Sequence, residues 1–482
     1  MRFFLRRKDV IFRIFFVLAL LTAVLWVSAH TLRPTETVPE TAEESGEISP
    51  EEEEPEPVPA GPVVAGEVTV DPMIARRVEE IRAAGEIPRI AAPVEDLPMR
   101  AEENPKSKLL MNIPTGTLLA EIPAEEEPAD PARIRVREPE SGREGYITAS
   151  YAPVIDYPAV DPSLLPVVRT DTALYTWEEL CEDVDLLCAM YPDLLSTRDL
   201  RPSTDGRRIP MMVFGNPDAP VKVFVQAAIH GREYMTAQLV MKMTEYYAAY
   251  FATGSYRGIP YRELFEQTEW TIIPMSNPDG VSISQFGEEG ARTSATRLIL
   301  RRAFAADRSK TIRDQDTYLK LWKANARGVD LNNNFDAGWE TIQEKDHPSQ
   351  ANYPGPRPVS EPESQNLVDV ELSQDYAASV SYHSMGNLIY YDADGKKSED
   401  AMRSLVIAEI ISGISGYSIE MERSADLKLG GFTDWLQLRC HRAGVTVEVG
   451  TNPCPLEIRE FLPIWFRNRE CWAALAASLI SE

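Results

Sequence analysis

Two of the five histidines in this 482-residue chain stand beside features that could do chemistry. His230 directly follows the apolar run 221–229, and Glu233 lies three residues on. A tight turn at that spacing aims an imidazole and a carboxylate at one point. Zn²⁺ accepts both ligand types, and a catalytic zinc needs three protein ligands with one position open for water. His383 ends a second apolar run and leads into Ser384-Met385-Gly386, which makes it the candidate third ligand. Glu448 sits inside the β-branched stretch 445–449. A carboxylate there is costly unless it is paired or working. Burial raises such a group toward the pKa range of a general base. Each residue also has an ordinary reading. The His230/Glu233 spacing arises by chance, and His383 fits a hydrogen-bonded core histidine. Val445, Val447 and Val449 alternating with Thr446 and Glu448 fits an edge strand with Glu448 facing solvent.

The elements that must position these residues alternate between helix and strand. Thr176 and Glu179 form a capping box that opens a helix through Met190. Residues 198–214 read as a hairpin turning at Asp205-Gly206. The near-continuous apolar runs 221–229, 268–275, 377–382 and 444–449 read as strands buried on both faces. Helices are expected over 235–251, 398–412 and 458–480. This order predicts an α/β domain with a mostly parallel or mixed sheet. Ligands in such sheets collect at the carboxyl ends of strands, where His230 and His383 stand.

Seven ordered signals resemble the zinc carboxypeptidase family, over essentially all of residues 170–475. They are Tyr175–Leu180, His230–Glu233, Asn277–Gly280, Gly328–Asn332 with Phe335, His383-Ser384, Gly431–Trp435 and Thr446–Gly450. The resemblance implies a mixed eight-stranded sheet with helices on both faces and one zinc ion held by His230, Glu233 and His383. It implies Glu448 as the base that takes a proton from a zinc-activated water and passes it to the leaving amine. Lys323 stands near the place of the family's oxyanion-stabilising arginine, with Arg327 as a second candidate. Carboxypeptidases grip the substrate's terminal carboxylate with an Asn-Arg pair; this chain has Asn332-Asn333. An asparagine cannot make the charge-assisted bidentate contact. The tyrosine that covers substrate is also missing, with Asp426 or Lys428 in its region, and Met385 replaces the tyrosine after the third ligand. These departures, with Asn452–Pro455, resemble the branch that cleaves γ-D-glutamyl–diamino acid bonds in bacterial wall peptides. The expected function is a zinc metallopeptidase acting on peptidoglycan stem peptides outside the cytoplasm. The alternatives are a broader carboxypeptidase for exogenous peptides and a non-catalytic wall-binding protein.

The remainder of the chain sets the context. A net charge of −26 argues against a nucleic-acid partner. Residues 1–33 carry a basic head and then a 16-residue apolar run, Ile14 to Ala29, which reads as an export signal or a membrane anchor. Residues 34–62 hold ten Glu and no Lys or Arg, the composition of an extended, disordered spacer. Residues 85–156 show short apolar runs split by Pro, Gly and acidic turns and resemble a bacterial SH3 domain, through Leu97–Arg100, Ile113–Thr117, Gly142–Ile147 and Tyr151. The catalytic domain is expected over 166–482. Cys181 and Cys188 are too far apart on one helix to bond, whereas Cys440 and Cys454 are either a pair or free thiols. Residues 284–317, with six Arg and one Lys, read as an inserted loop near the cleft.

Overall fold

Along β9 (Val221–Ala227), Val223, Val225 and Ala227 enter one apolar core while Phe224 enters another. Successive side chains of a strand point to opposite faces, so this strand must lie inside a sheet covered on both sides. The computed structural model describes residues 72–481 apart from 125–129, 158–160, 310–311, 343–344, 394–397 and 421–429. The expected anchor and spacer (1–33 and 34–62), and Asp426 and Lys428, lie outside the described residues. Among the described residues no helix is long and apolar enough to cross a membrane.

The main sheet contains β7 (Leu195–Asp199), β8 (Pro210–Gly215), β9, β10 (Thr268–Ile273), β11 (Ala378–His383), β12 (Leu388–Tyr390), β13 (Ser418–Glu420) and β14 (Gly444–Glu448). Its spatial order is β13-β12-β14-β11-β9-β10-β8-β7. The four central strands, β14, β11, β9 and β10, are parallel. Antiparallel pairing begins at β12 on one side and β8 on the other. The expected mixed eight-stranded sheet is therefore present. β14 lies between β11 and β12, so the edge-strand reading of Glu448 falls.

Helices cover both faces. α3 (Met235–Ala249), α7 (Glu399–Ser415), α8 (Phe461–Asn468) and α9 (Cys471–Leu479) contribute to the core under Val223 and Val225. α6 (Pro362–Ser373) covers the face of Phe224, where Leu331, Phe335 and Phe432 also pack. The helix α2 (Trp177–Met190) begins with the expected capping box: Thr176 Oγ1 accepts from Glu179 N at 3.1 Å, and Thr176 N donates back to the Glu179 carboxylate at 2.8 Å.

The expected hairpin is present: β7 and β8 pair antiparallel, and the ten-residue loop between them, 200–209, turns at Asp205-Gly206 and sends Asp205 and Arg207 inward toward Asp279 and residues 292–296. Two expectations are corrected. The helix expected over 458–480 breaks at Arg469-Glu470. There the Arg469 carbonyl accepts from the Tyr247 hydroxyl at 2.5 Å, and Glu470 accepts from Asp156 N at 3.3 Å. Residues 284–317 are largely helical: α4 (Pro278–Phe286) ends in them, and α5 (Ser294–Asp307) is capped by Thr293 and buries Thr296, Leu300 and Ala303. Three of the segment's six arginines, Arg297, Arg301 and Arg302, lie on this amphipathic helix away from its buried side.

Before the large sheet, α1 (Pro72–Ala83) leads into a six-stranded antiparallel sheet. Its strands are β1 (Ile87–Ile90), β2 (Leu97–Arg100), β3 (Leu109–Ile113), β4 (Leu118–Glu121), β5 (Arg133–Glu138) and β6 (Arg143–Thr148), in the order β1-β4-β5-β6-β2-β3. It has a core of its own around Met99, Leu119 and Ile147. Ile90, Ala92 and Ile155 instead join the core of the large domain with Trp465 and Phe466.

Candidate active site

His230 reaches the site because three loops meet with no room for side chains. A Cβ on Gly231 would lie 2.3 Å from the Gly280 carbonyl, and one on Gly280 would lie 2.4 Å from the Ala324 oxygen. Glycine is required at both places by close backbone approach. Gly231 N donates to Lys323 O at 2.9 Å. Asn277 Nδ2 donates to Ile229 O at 3.0 Å and Ala324 O at 3.1 Å, and Asn277 Oδ1 caps α4 through Gly280 N at 2.9 Å. The segments around His230, Asn277 and Lys323 are thus one structural unit.

His230, Glu233 and His383 are all buried, and their ligand atoms lie within 4.8 Å of one another. His230 Nδ1 is 2.9 Å from Glu233 Oε1, His383 Nδ1 is 3.1 Å from Glu233 Oε2, and the two Nδ1 atoms are 3.2 Å apart. On its other side, His230 Nε2 lies 3.2 Å from Asp330 Oδ1. With Nδ1 given to a metal, the hydrogen of the neutral ring resides on Nε2, on the side of this carboxylate. Two imidazole nitrogens and one carboxylate converging on one point form a donor set that fits zinc. Burial works against charging His230, but Glu233 and Asp330 outweigh it and hold its pKa above the ordinary value. Burial likewise opposes the charge on Glu233, yet the two histidines hold its carboxyl well below the usual range. Asp330 is also held well below that range against its burial, by Lys323 and His230.

Beside this cluster is a cavity of about 200 Å³, lined among others by His230, Lys323, Asn332, Asn333, Thr446 and Glu448. Glu448 is half-buried and sits opposite His383 in the β11–β14 register. Thr446, two residues before it, meets Thr433 Oγ1 at 2.9 Å on the same side of the strand. Lys323 Nζ lies 3.7 Å from Asp330 Oδ2. Asn332 Oδ1 accepts from Phe432 N at 3.0 Å, which fixes that side chain at the cavity wall. Arg327 is elsewhere. Its side chain is 54% exposed, with Nη1 3.5 Å from Glu361. The cause is a tight turn: Asn325 Oδ1 takes both Arg327 N and Val329 N, and Gly328 adopts φ 72°. The turn returns Asp330 to the site and leaves Arg327 outside.

The candidate ligands, Glu448, Lys323, Asn332 and Asn333 are therefore brought together. Asp330 was given no role from sequence, although a carboxylate between Val329 and Leu331 carries the same signal that marked Glu448. Asp434 was also missed. It is buried, accepts from Gly431 N at 2.8 Å and Gly430 N at 3.2 Å, and burial raises its pKa to about 6. All five cysteines are free thiols, so Cys440 and Cys454 are not paired.

The family model of zinc carboxypeptidase, peptidase M14, matches residues 180–462, more than half of the chain. The chain belongs to the zinc carboxypeptidase family. It is a metallopeptidase, and its cofactor is zinc. Among curated relatives, it is 29% identical over 294 residues to γ-D-glutamyl-L-diamino acid endopeptidase 1 of Lysinibacillus sphaericus, covering 60% of this chain and 69% of that one. It is 26% identical over 228 residues to carboxypeptidase B of Astacus astacus, covering 46% and 64%. The crystal structure of thrombin activatable fibrinolysis inhibitor shares the fold, with a TM-score of 0.51 at 18% identity, covering 66% of this chain and 80% of that one.

Proposed function

We propose that this protein is an exported zinc peptidase that hydrolyses the γ-D-glutamyl–diamino acid bond of peptidoglycan stem peptides. The observation that carries the reading is Asn333 beside Asn332 in the cavity, where a carboxypeptidase would present a guanidinium to a terminal carboxylate. Similarity to the Lysinibacillus endopeptidase supports it. The apolar N-terminal run supports export, and the small six-stranded sheet is read as an SH3-like module that holds the enzyme at the wall.

When bound, zinc polarises the scissile carbonyl and acidifies a water. His230, Glu233 and His383 would hold it, with Asp330 beside the outer nitrogen of His230. Glu448 takes a proton from the attacking water and returns it to the leaving amine. Lys323 sets a positive charge near the developing oxyanion, and Asp330 orients that charge. Asn332 and Asn333 offer neutral polar groups to the substrate.

Mass spectrometry of products tests this reading. A soluble form, residues 63–482, is incubated with a wall tetrapeptide and with an ordinary L-peptide. Cleavage between γ-D-Glu and the diamino acid, reduced about 10²- to 10⁴-fold in Glu448→Gln, is the expected result. Trimming of the L-peptide from its C-terminus would show a carboxypeptidase instead. Binding to wall without cleavage of either peptide would show a non-catalytic protein.

A further inference from the structure

A second cavity, of about 340 Å³, lies between residues 92–98, which run from β1 into β2, and helix α8. Its wall on the large domain includes Asn387, Gly450 and Thr451. Gly450 N donates to Asn387 Oδ1 at 2.9 Å, and Gly386 N donates to Gly450 O at 2.8 Å. The pairing that carries Glu448 thus continues into the cavity wall. Gly450 is two residues past Glu448, about 7 Å at strand rise.

Arg467 opens onto this cavity although it is only 3% exposed. Its Nε donates to Ala92 O at 3.4 Å and its Nη1 to Ser415 O at 3.1 Å. The guanidinium lies 5.2 Å from the Tyr151 ring centre and 5.6 Å from that of Tyr417. Among the described residues no carboxylate pairs with it. A desolvated guanidinium with no counter-charge is costly, and the cost is relieved when a carboxylate arrives. Glu460, a buried carboxylate that also lines this cavity, is already engaged by Thr451 N and Asn452 N, each at 3.0 Å. Glu95 and Asp96 are exposed residues of the same cavity. They disfavour a polyanion and favour a ligand that carries an ammonium beside its carboxylate.

We propose that this cavity is a substrate subsite, with Arg467 as the anchor for a free carboxylate on the diamino-acid side of the scissile bond. The inference rests on the peptidase reading above and adds a second point of substrate recognition, built jointly by the small sheet and the large domain. It places a cation for the substrate outside the zinc cavity, whose Asn333 supplies none.

Equilibrium binding tests it without turnover. Lysyl-D-alanine and its C-terminal amide are titrated into residues 63–482 by calorimetry. The acid binds about 10- to 100-fold tighter than the amide in the unaltered protein, and the ratio falls to near one in Arg467→Gln. Since Arg467 is buried, Val94→Glu provides a second variant: its added carboxylate at the cavity weakens the acid selectively. Equal binding of acid and amide by the unaltered protein, or binding of neither, overturns the proposal. So does a ratio that survives in Arg467→Gln, or in Val94→Glu should Arg467→Gln fail to fold. Failure of the peptidase reading is a separate result, no hydrolysis of the wall peptide; failure of the subsite leaves hydrolysis intact.

Discussion

At the scale of single residues, this site turns on which of two nearby cations faces the reaction. Lys323 and Arg327 lie four apart in sequence, and residue type favours arginine, whose planar fork suits an oxyanion. The turn at Asn325 and Gly328 leaves Lys323 in the cavity lining and Arg327 outside it. Lys323→Ala is expected to lower kcat about 10²- to 10³-fold on the wall peptide, while Arg327→Ala leaves it unchanged. Steady-state kinetics on the two variants checks this, and the reverse ranking would move the oxyanion role to Arg327. His230, Glu233, His383 and Glu448 were legible because ionisable side chains at the ends of apolar runs are conspicuous. Asp330 was not, because its part depends on facing His230 Nε2 across a loop.

At the scale of elements, the central strands could be read from sequence because parallel strands buried on both faces leave long apolar runs. The helix break at Arg469-Glu470 could not, because it is stabilised by Tyr247 and Asp156 from remote segments. A comparable tertiary contact ties α6 to the sheet. Glu371 on α6 accepts from Ser379 Oγ at 2.9 Å and from Arg442 Nη1 at 3.1 Å, and it is fully buried. Burial raises its pKa to about 7, with Arg442 and Ser379 opposing. The folded state therefore binds more protons than the unfolded chain between the ordinary glutamate value, near 4.3, and about 7. Stability from this group is full below that window and lost as pH rises through it. The loss is on the order of 3 kcal/mol. Glu371→Gln should match the unaltered protein near pH 4 and exceed it in denaturant midpoint at pH 8. A variant less stable at pH 8 would show that the Arg442 ion pair outweighs burial.

At the scale of the whole molecule, the six-stranded sheet and the peptidase domain share apolar packing through Ile90, Ala92 and Ile155. The described residues, 72–481, belong to one compact unit. Ile90 is 2% exposed, and Ile90→Ala removes apolar contact from both parts at about 2–5 kcal/mol. Calorimetry is expected to show one transition shifted downward as a whole. Two separated transitions, with only the first shifted, would show that the sheet unfolds independently. The same joint packing forms the cavity at Arg467, so the small sheet takes part in substrate recognition under the proposal made above.

The sequence by itself determined the alternating elements, the mixed sheet and the family, because these follow from hydrophobic periodicity and from short motifs read in order. It also nominated His230, Glu233 and His383 as ligands, through residue type at strand ends and the family resemblance; their convergence within 4.8 Å depends on β9 and β11 being neighbours in the sheet. Only the tertiary structure decided that Lys323 rather than Arg327 lines the cavity, that Asp330 supports His230, and that Arg467 lies buried without a carboxylate. Each of these depends on groups distant in the chain, and pairwise distances across the fold leave no trace in local residue spacing.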